Sequence, residues 1–157
     1  MDKDLWTNIQ DEIHLRVDAE PTLGSFLHSL VLSQKDLLAA VASILASKLH
    51  SDALSAMDVK KFILDVYREC KDIEPALEAD LKFFKEQDPA CKYYSTPLLF
   101  YKGFQGLAAY RASHSLWTND RHTMALFIQN RSSEVFGVDI HPAASIDSAV
   151  MIDHATG

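Results

Sequence analysis

Glycine and proline are scarce in this chain, five of each in 157 residues. With 48% apolar and 24% charged residues, that shortage fits a soluble, mostly helical globular protein. Cysteine is scarcer still: Cys70 and Cys91 stand 21 positions apart, with no short metal-binding spacing, and read as free thiols. Basic residues are outnumbered, 15 Lys and Arg against 22 Asp and Glu, so a nucleic-acid surface of clustered cations is excluded. No apolar run approaches the ~20 residues that span a bilayer. The longest, Leu37 to Leu49, is interrupted by Ser43, Ser47 and Lys48. The acidic N-terminal turns lack the apolar core of a signal peptide, and a cytoplasmic location is expected. The length suits one domain with a sizeable core.

Apolar spacing predicts consecutive amphipathic helices over residues 1–136. Leu5, Ile9, Ile13 and Val17 recur every fourth position and form one stripe. Pro21 opens a second helix with Leu23, Phe26, Leu27, Leu30 and Val31 as its apolar residues. Ser33, three residues before Asp36, suggests a capping box for a third helix through Leu49. Asp58 is expected to cap Val59 to Tyr67, and a further helix runs from Ile73 to Lys85, ending before Asp88-Pro89. Thr96-Pro97 reads as cap and first position of a helix reaching Trp117. A last helix covers His122 to Phe136, with Leu126 and Phe127 on its apolar face and Gly137 as its stop.

After Gly137 the pattern changes. Ile140, Ile146 and Ile152 are six apart, giving IHPAAS, IDSAVM and IDHATG. That period fits neither a helix nor plain strand alternation. It is the signature of a hexapeptide β-helix, although a strand-and-turn segment is an alternative on periodicity alone.

The residues themselves are more specific. VDIHPAASIDSAVMIDHATG resembles the signature of serine acetyltransferases, in which VDIHPAA leads into DHATG. STPLLFYKGFQGLAAYRASHSLW resembles the long helix before the β-helix of that family, QDPA at Gln87 to Ala90 resembles its DPA segment, and EPTLGSFLHSLVL resembles its second helix. The match runs in order along essentially the whole chain. It departs at Asp147 and Ala149, where the family's turns usually carry Gly, at Gln87 in place of a basic residue, and at Gln105 where His is frequent.

The resemblance implies a mainly α fold: a multi-helix domain over 1–136, then at 137–157 the first coil of a left-handed parallel β-helix. It implies serine O-acetylation from acetyl-CoA in cysteine biosynthesis, with no metal. A hydroxyl attacking a thioester needs a base with a pKa near working pH, and a carboxylate on the imidazole's other nitrogen would fix its tautomer. By resemblance His154 is that base and Asp139 its partner, 15 positions apart and so on neighbouring levels of an 18-residue coil. Asp88 and Asp153 match the acidic positions that meet the amino acid's ammonium group.

The family further implies trimers or dimers of trimers, and docking of O-acetylserine sulfhydrylase through a C-terminal tail that lies beyond Gly157. Most of the acetyl-CoA groove also belongs to later coils, so the 157-residue form is expected to be nearly inactive. Other readings stay open: a hexapeptide acyltransferase for a different hydroxyl acceptor, or a non-catalytic helical oligomerisation module. His14, His28, His50 and His122 read as surface or packing residues, and His141 as part of a turn before Pro142. Phe100, Tyr101, Phe104, Tyr110 and Trp117 read as core or subunit contacts.

Overall fold

The structure, a computed structural model, describes residues 3–157. Among the described residues there are eight α-helices and no β-strand. In α1 (Leu5–Ala19), Leu5, Ile9 and Ile13 are buried and Val17 packs against the core's edge, as the four-residue spacing predicts. Asp4 starts the helix by accepting the Thr7 amide at 2.9 Å. The next segment changes pitch twice, from a 3₁₀ turn (Pro21–Leu23) through α2 (Gly24–Leu27) to a π-helical turn (His28–Leu32). Leu27, Leu30 and Val31 are buried, but Leu23 and Phe26 are exposed, because the altered pitch rotates them off the common face.

Two expected caps are shifted. α3 (Leu37–Leu49) begins on Asp36, whose carboxylate accepts the Ala39 amide at 3.0 Å, while the Ser33 hydroxyl donates back to the Ser29 carbonyl. α4 (Ala56–Glu69) begins on Ser55, which accepts the Asp58 amide and donates its hydroxyl to the Asp58 carboxylate. Asp58 is therefore the inner half of a reciprocal cap. α5 (Ile73–Gln87) stops at Asp88-Pro89 as predicted.

The helix expected to run unbroken from Thr96 to Trp117 is two. α6 (Ser95–Phe100) and α7 (Lys102–Thr118) meet at Tyr101, whose backbone is extended (φ −95°, ψ 109°). α6 starts at Ser95, where the Glu12 carboxylate of α1 accepts the Tyr94 and Ser95 amides at 3.2 and 2.7 Å. Arg16 donates to the Ser95 and Thr96 hydroxyls, so Thr96 serves the contact with α1 instead of capping. The break frees the carbonyls of Leu98 and Leu99, and the buried Gln105 amide donates to both, at 3.1 and 2.9 Å. α8 (His122–Phe136) ends at Gly137, in the left-handed region at φ +66°. Its buried face is Ala125, Ile128, Ser132 and Phe136; Leu126 is exposed and Phe127 half-buried against the core.

One apolar cluster joins these helices, with α3 packed along α4 and α7 along α8. α7 is buried continuously from Gly103 to Ser113. It is the central helix, and the segment after α8 is laid along it.

Candidate active site

Residues 137–157 form a single wound loop. A turn at Pro142–Ala143 and bends at Ser148–Ala149 and His154 fall about six residues apart. The loop then meets its own beginning: the Asp139 amide donates to the Gly157 carbonyl at 3.0 Å, and the Gly157 amide donates to the Gly137 carbonyl at 2.8 Å. Gly157 thus bonds to residues on either side of Val138, as in a parallel pairing, across sequence separations of 18 and 20. Ala149, His154 and Ala155 have positive φ, at 58°, 54° and 25°. Ile140 and Ile152 pack against the helical core, and Val138 and Ala155 are buried in it.

One face of α7 receives this loop, through Gly103, Gly106, Tyr110 and His114 at helical spacing. A β-carbon on Gly103 would lie 2.0 Å from the Ile152 carbonyl oxygen, and one on Gly106 would be 2.9 Å from the Val138 side chain. Only glycine allows so close an approach. The Tyr110 hydroxyl donates to the Ala144 carbonyl and accepts the Ile146 amide at 3.2 Å. Burial pushes the Tyr110 phenol up, so it stays protonated and able to donate. His114 Nδ1 lies 2.7 Å from the Pro142 carbonyl and must carry a proton to donate to it.

An ion pair completes the attachment. Asp80 on α5 and Arg111 on α7 are 0% and 8% exposed and meet in a fork, Nε to Oδ2 at 2.7 Å and Nη2 to Oδ1 at 2.9 Å. Arg111 Nη2 also donates to the Asp147 carbonyl at 3.0 Å, and Asp80 Oδ1 accepts the Val150 amide at 3.1 Å.

Of the four sequence-predicted site residues, Asp153 and His154 lie side by side, and Asp88 and Asp153 both neighbour Tyr101. Asp88 follows α5, half-buried, and its Oδ1 accepts the Ala90 amide at 2.9 Å in a tight turn. Tyr101, at the α6–α7 break, leans on the Phe84 ring and neighbours both Asp88 and Asp153. Burial first, then the neighbouring Asp88 carboxylate, with Cys91 and Asp153 adding to it, push the Tyr101 phenol above its ordinary value. His154 Nε2 lies 3.6 Å from Asp153 Oδ1, too long for a hydrogen bond, and its side chain is 95% exposed. Asp139 stands apart. Its Oδ1 accepts from Gln129 of α8 at 2.8 Å, and it makes no hydrogen bond or ion pair with His154. The expected His154–Asp139 contact is therefore not formed within this chain.

Neither Tyr101 nor the Asp80–Arg111 pair was singled out as functional from the sequence. A signal existed for Asp80: it sits on the apolar face of α5 among Ile73, Leu77, Leu81 and Phe84, where a lone carboxylate needs a buried partner. Tyr101 gave none, since nothing in its pattern marks the helix break. A cleft of about 800 Å³ between α4, α5, α7 and the loop, bordered by Cys70, Asp72, Arg111, His114 and Asp147, contains none of the four predicted residues. Among the described residues no cluster of His, Cys, Asp or Glu suited to a metal ion is found, and no helix is long and apolar enough to cross a membrane.

The family profile described as serine acetyltransferase, N-terminal, matches residues 5–109. The serine acetyltransferase of Escherichia coli (strain K12) is 40% identical over 153 residues, 98% of this chain and 56% of that protein. A crystal structure of Neisseria gonorrhoeae serine acetyltransferase in complex with serine covers 99% of this chain at 45% identity, with a TM-score of 0.96 and 65% of its own chain matched. A serine acetyltransferase complex with CoA covers 98% at 39% identity, with a TM-score of 0.95 and 65% of its own chain matched. The chain thus spans little more than half the length of the curated relatives it matches.

Proposed function

Because the chain belongs to the serine acetyltransferase family, we propose that it is the front part of an enzyme acetylating the L-serine hydroxyl from acetyl-CoA, giving O-acetylserine for cysteine synthesis. The observation that carries this reading is Asp153 beside His154, with Tyr101 neighbouring both Asp88 and Asp153, where the wound loop meets the helices. On this reading residues 1–136 are a helical domain and 137–157 the first coil of a left-handed β-helix. The return of Gly157 to Gly137 and Asp139 and the corners spaced by six support that division.

His154, at an exposed corner, takes the proton of the serine hydroxyl as that oxygen attacks the thioester carbonyl, and the CoA thiolate departs. Asp88 and Asp153 hold the substrate ammonium group by charge-assisted hydrogen bonds. Tyr101 stands beside Asp88, its phenol held protonated by burial and the acidic neighbours. Asp139 keeps its assignment as the orienting partner of the imidazole by resemblance, whereas Asp153 is the carboxylate that lies beside the ring here. Acetyl-CoA is the co-substrate, supported by the CoA complex of a relative. A cytoplasmic location, self-association as a trimer or dimer of trimers, and docking of O-acetylserine sulfhydrylase complete the reading. Exposed Leu15, Leu23 and Phe26 near α1 and α2 support self-association.

The test is a thioester assay on the full-length form with serine, homoserine and amino sugars. Turnover of serine alone is expected, and its absence would sink the reading. Comparing Asp139→Asn with Asp153→Asn separates their roles. Loss in kcat with KM for serine held marks the orienting partner, and a raised KM marks the ammonium site.

A further inference from the structure

The chain bends sharply at Ser148–Ala149, yet no backbone hydrogen bond from the Val150 amide to the Asp147 carbonyl closes the corner as in a β-turn. In a closed turn the first carbonyl accepts from the fourth amide. Here both groups are diverted to side chains: the Asp147 carbonyl accepts from Arg111 Nη2 at 3.0 Å, and the Val150 amide donates to Asp80 Oδ1 at 3.1 Å. The ion pair is inserted into the turn. It supplies a donor and an acceptor in the polarity the open turn requires, and its own two members are locked together in a fork.

The turn needs an external hold. Ala149 sits at φ +58°, a region that glycine enters freely and alanine does not. Without a closing backbone bond, the corner's local hold is the Ser148 amide donating to Asp147 Oδ1 at 2.8 Å, which leaves the Asp147 carbonyl and the Val150 amide to outside partners. Asp80 and Arg111 cannot leave it, since both are buried and every hydrogen bond recorded for Asp80 goes to Arg111 or Val150. From Val150 the chain has four residues to His154, and Ile152 between them is pressed against Gly103.

We infer that Asp80 and Arg111 are positioning residues, which hold the Ala149 corner open and so set where the helices present Asp153 and His154 against Asp88 and Tyr101. The part that concerns catalysis rests on the function proposed above; the part that concerns the loop does not. An ordinary buried pair would only join α5 to α7. This one uses the joint to grip the loop on both sides of its strained residue.

Two measurements test it. In the first, amide hydrogen exchange is followed in the 157-residue chain for wild type, Asp80→Asn and Arg111→Lys. The asparagine keeps an acceptor oxygen without the charge, and the lysine keeps the charge without the fork. Faster exchange at Val150, Asp139 and Gly157, with protection in α3 and α8 retained, is the expected result. Unchanged exchange at Val150, or a uniform loss across all helices, would overturn the positioning role. In the second, the full-length protein carries the same substitutions, alone and with Ala149→Gly. Each single variant is expected to lower kcat on serine by roughly tenfold to a hundredfold, as small misplacements do, while KM for acetyl-CoA holds. Ala149→Gly is expected to restore part of kcat in Arg111→Lys, because glycine holds the corner without the grip. If kcat merely follows the folded fraction, or if Ala149→Gly restores the melting temperature without kcat, the inference fails. A wild type that does not turn over serine would refute the function alone, with the exchange experiment still deciding the grip.

Discussion

Gly103 shows how much one missing β-carbon decides. In an isolated helix, alanine at this position would be favoured over glycine by up to about 1 kcal/mol. Against that stands a carbon built 2.0 Å from the Ile152 carbonyl oxygen, a contact with backbone that no rotamer change relieves. Overpacking of this kind costs about 1–3 kcal/mol and moves the weaker partner, which here is the loop. Gly103→Ala is therefore expected to lower stability to urea modestly and to open residues 137–157 to limited proteolysis, with helical circular dichroism kept. A variant as protease-resistant as wild type would show that the loop does not need this approach. Gly106→Ala should cost less, because its nearest obstacle, Val138 Cβ at 2.9 Å, lies almost an ångström farther than the one at Gly103.

At the scale of elements, the break at Tyr101 is held by a residue inside the next helix. Gln105 donates to two carbonyls that the interruption leaves without helical partners, while its own Oε1 has none. Gln105→Leu removes both donations and one unsatisfied oxygen. Orphaned buried carbonyls cost about 1–3 kcal/mol each, so the loss outweighs the relief. The expected outcome is a lower thermal midpoint together with a displaced Tyr101, read as a loss of serine affinity in the full-length form; a midpoint equal to wild type would contradict it. This break also marks the limit of what was legible in the sequence. Helix positions followed from apolar spacing, because burial imposes the period. The caps of α3 and α4 were misplaced by three residues, because Ser33, Asp36, Ser55 and Asp58 are all chemically able to cap and only the fold selects among them. The α6–α7 interruption was invisible, since no glycine or proline marks Tyr101 and the carbonyls it frees are satisfied by a glutamine that reads as an ordinary helical residue.

For the molecule as a whole, the attachment of the loop predicts one cooperative unit. Trp117 stacks on His122 at 4.1 Å and meets the edge of His141 at 4.9 Å, so its emission senses α7, the start of α8 and the loop together. In Trp6→Phe it is the remaining tryptophan of two. Its urea transition should coincide with that of far-ultraviolet circular dichroism, as for two-state domains. An earlier fluorescence transition would mean that the loop and α7 part company before the helices melt. Of the motif residues proposed from the sequence, Asp153 and His154 lie side by side, and Asp88 and Asp153 both neighbour Tyr101. What could not be read was the means of assembly, because Asp80, Arg111 and Tyr101 act through partners 13 to 70 positions away.

The Asp80–Val150 bond spans 70 positions and ends on a carboxylate with no exposure at all. It therefore carries a statement about time. Asp80 and Arg111 can find each other as soon as α5 and α7 pack, over a separation of only 31. The Val150 amide has no paired carboxylate to bind until that has happened, and it is synthesised after both helices. As the chain leaves the ribosome, the helices come first and present a finished mould, and the loop is cast on it last. Slowing the closure of α5 on α7 should therefore delay the loop, whereas weakening the loop should leave the helices to fold at their own pace.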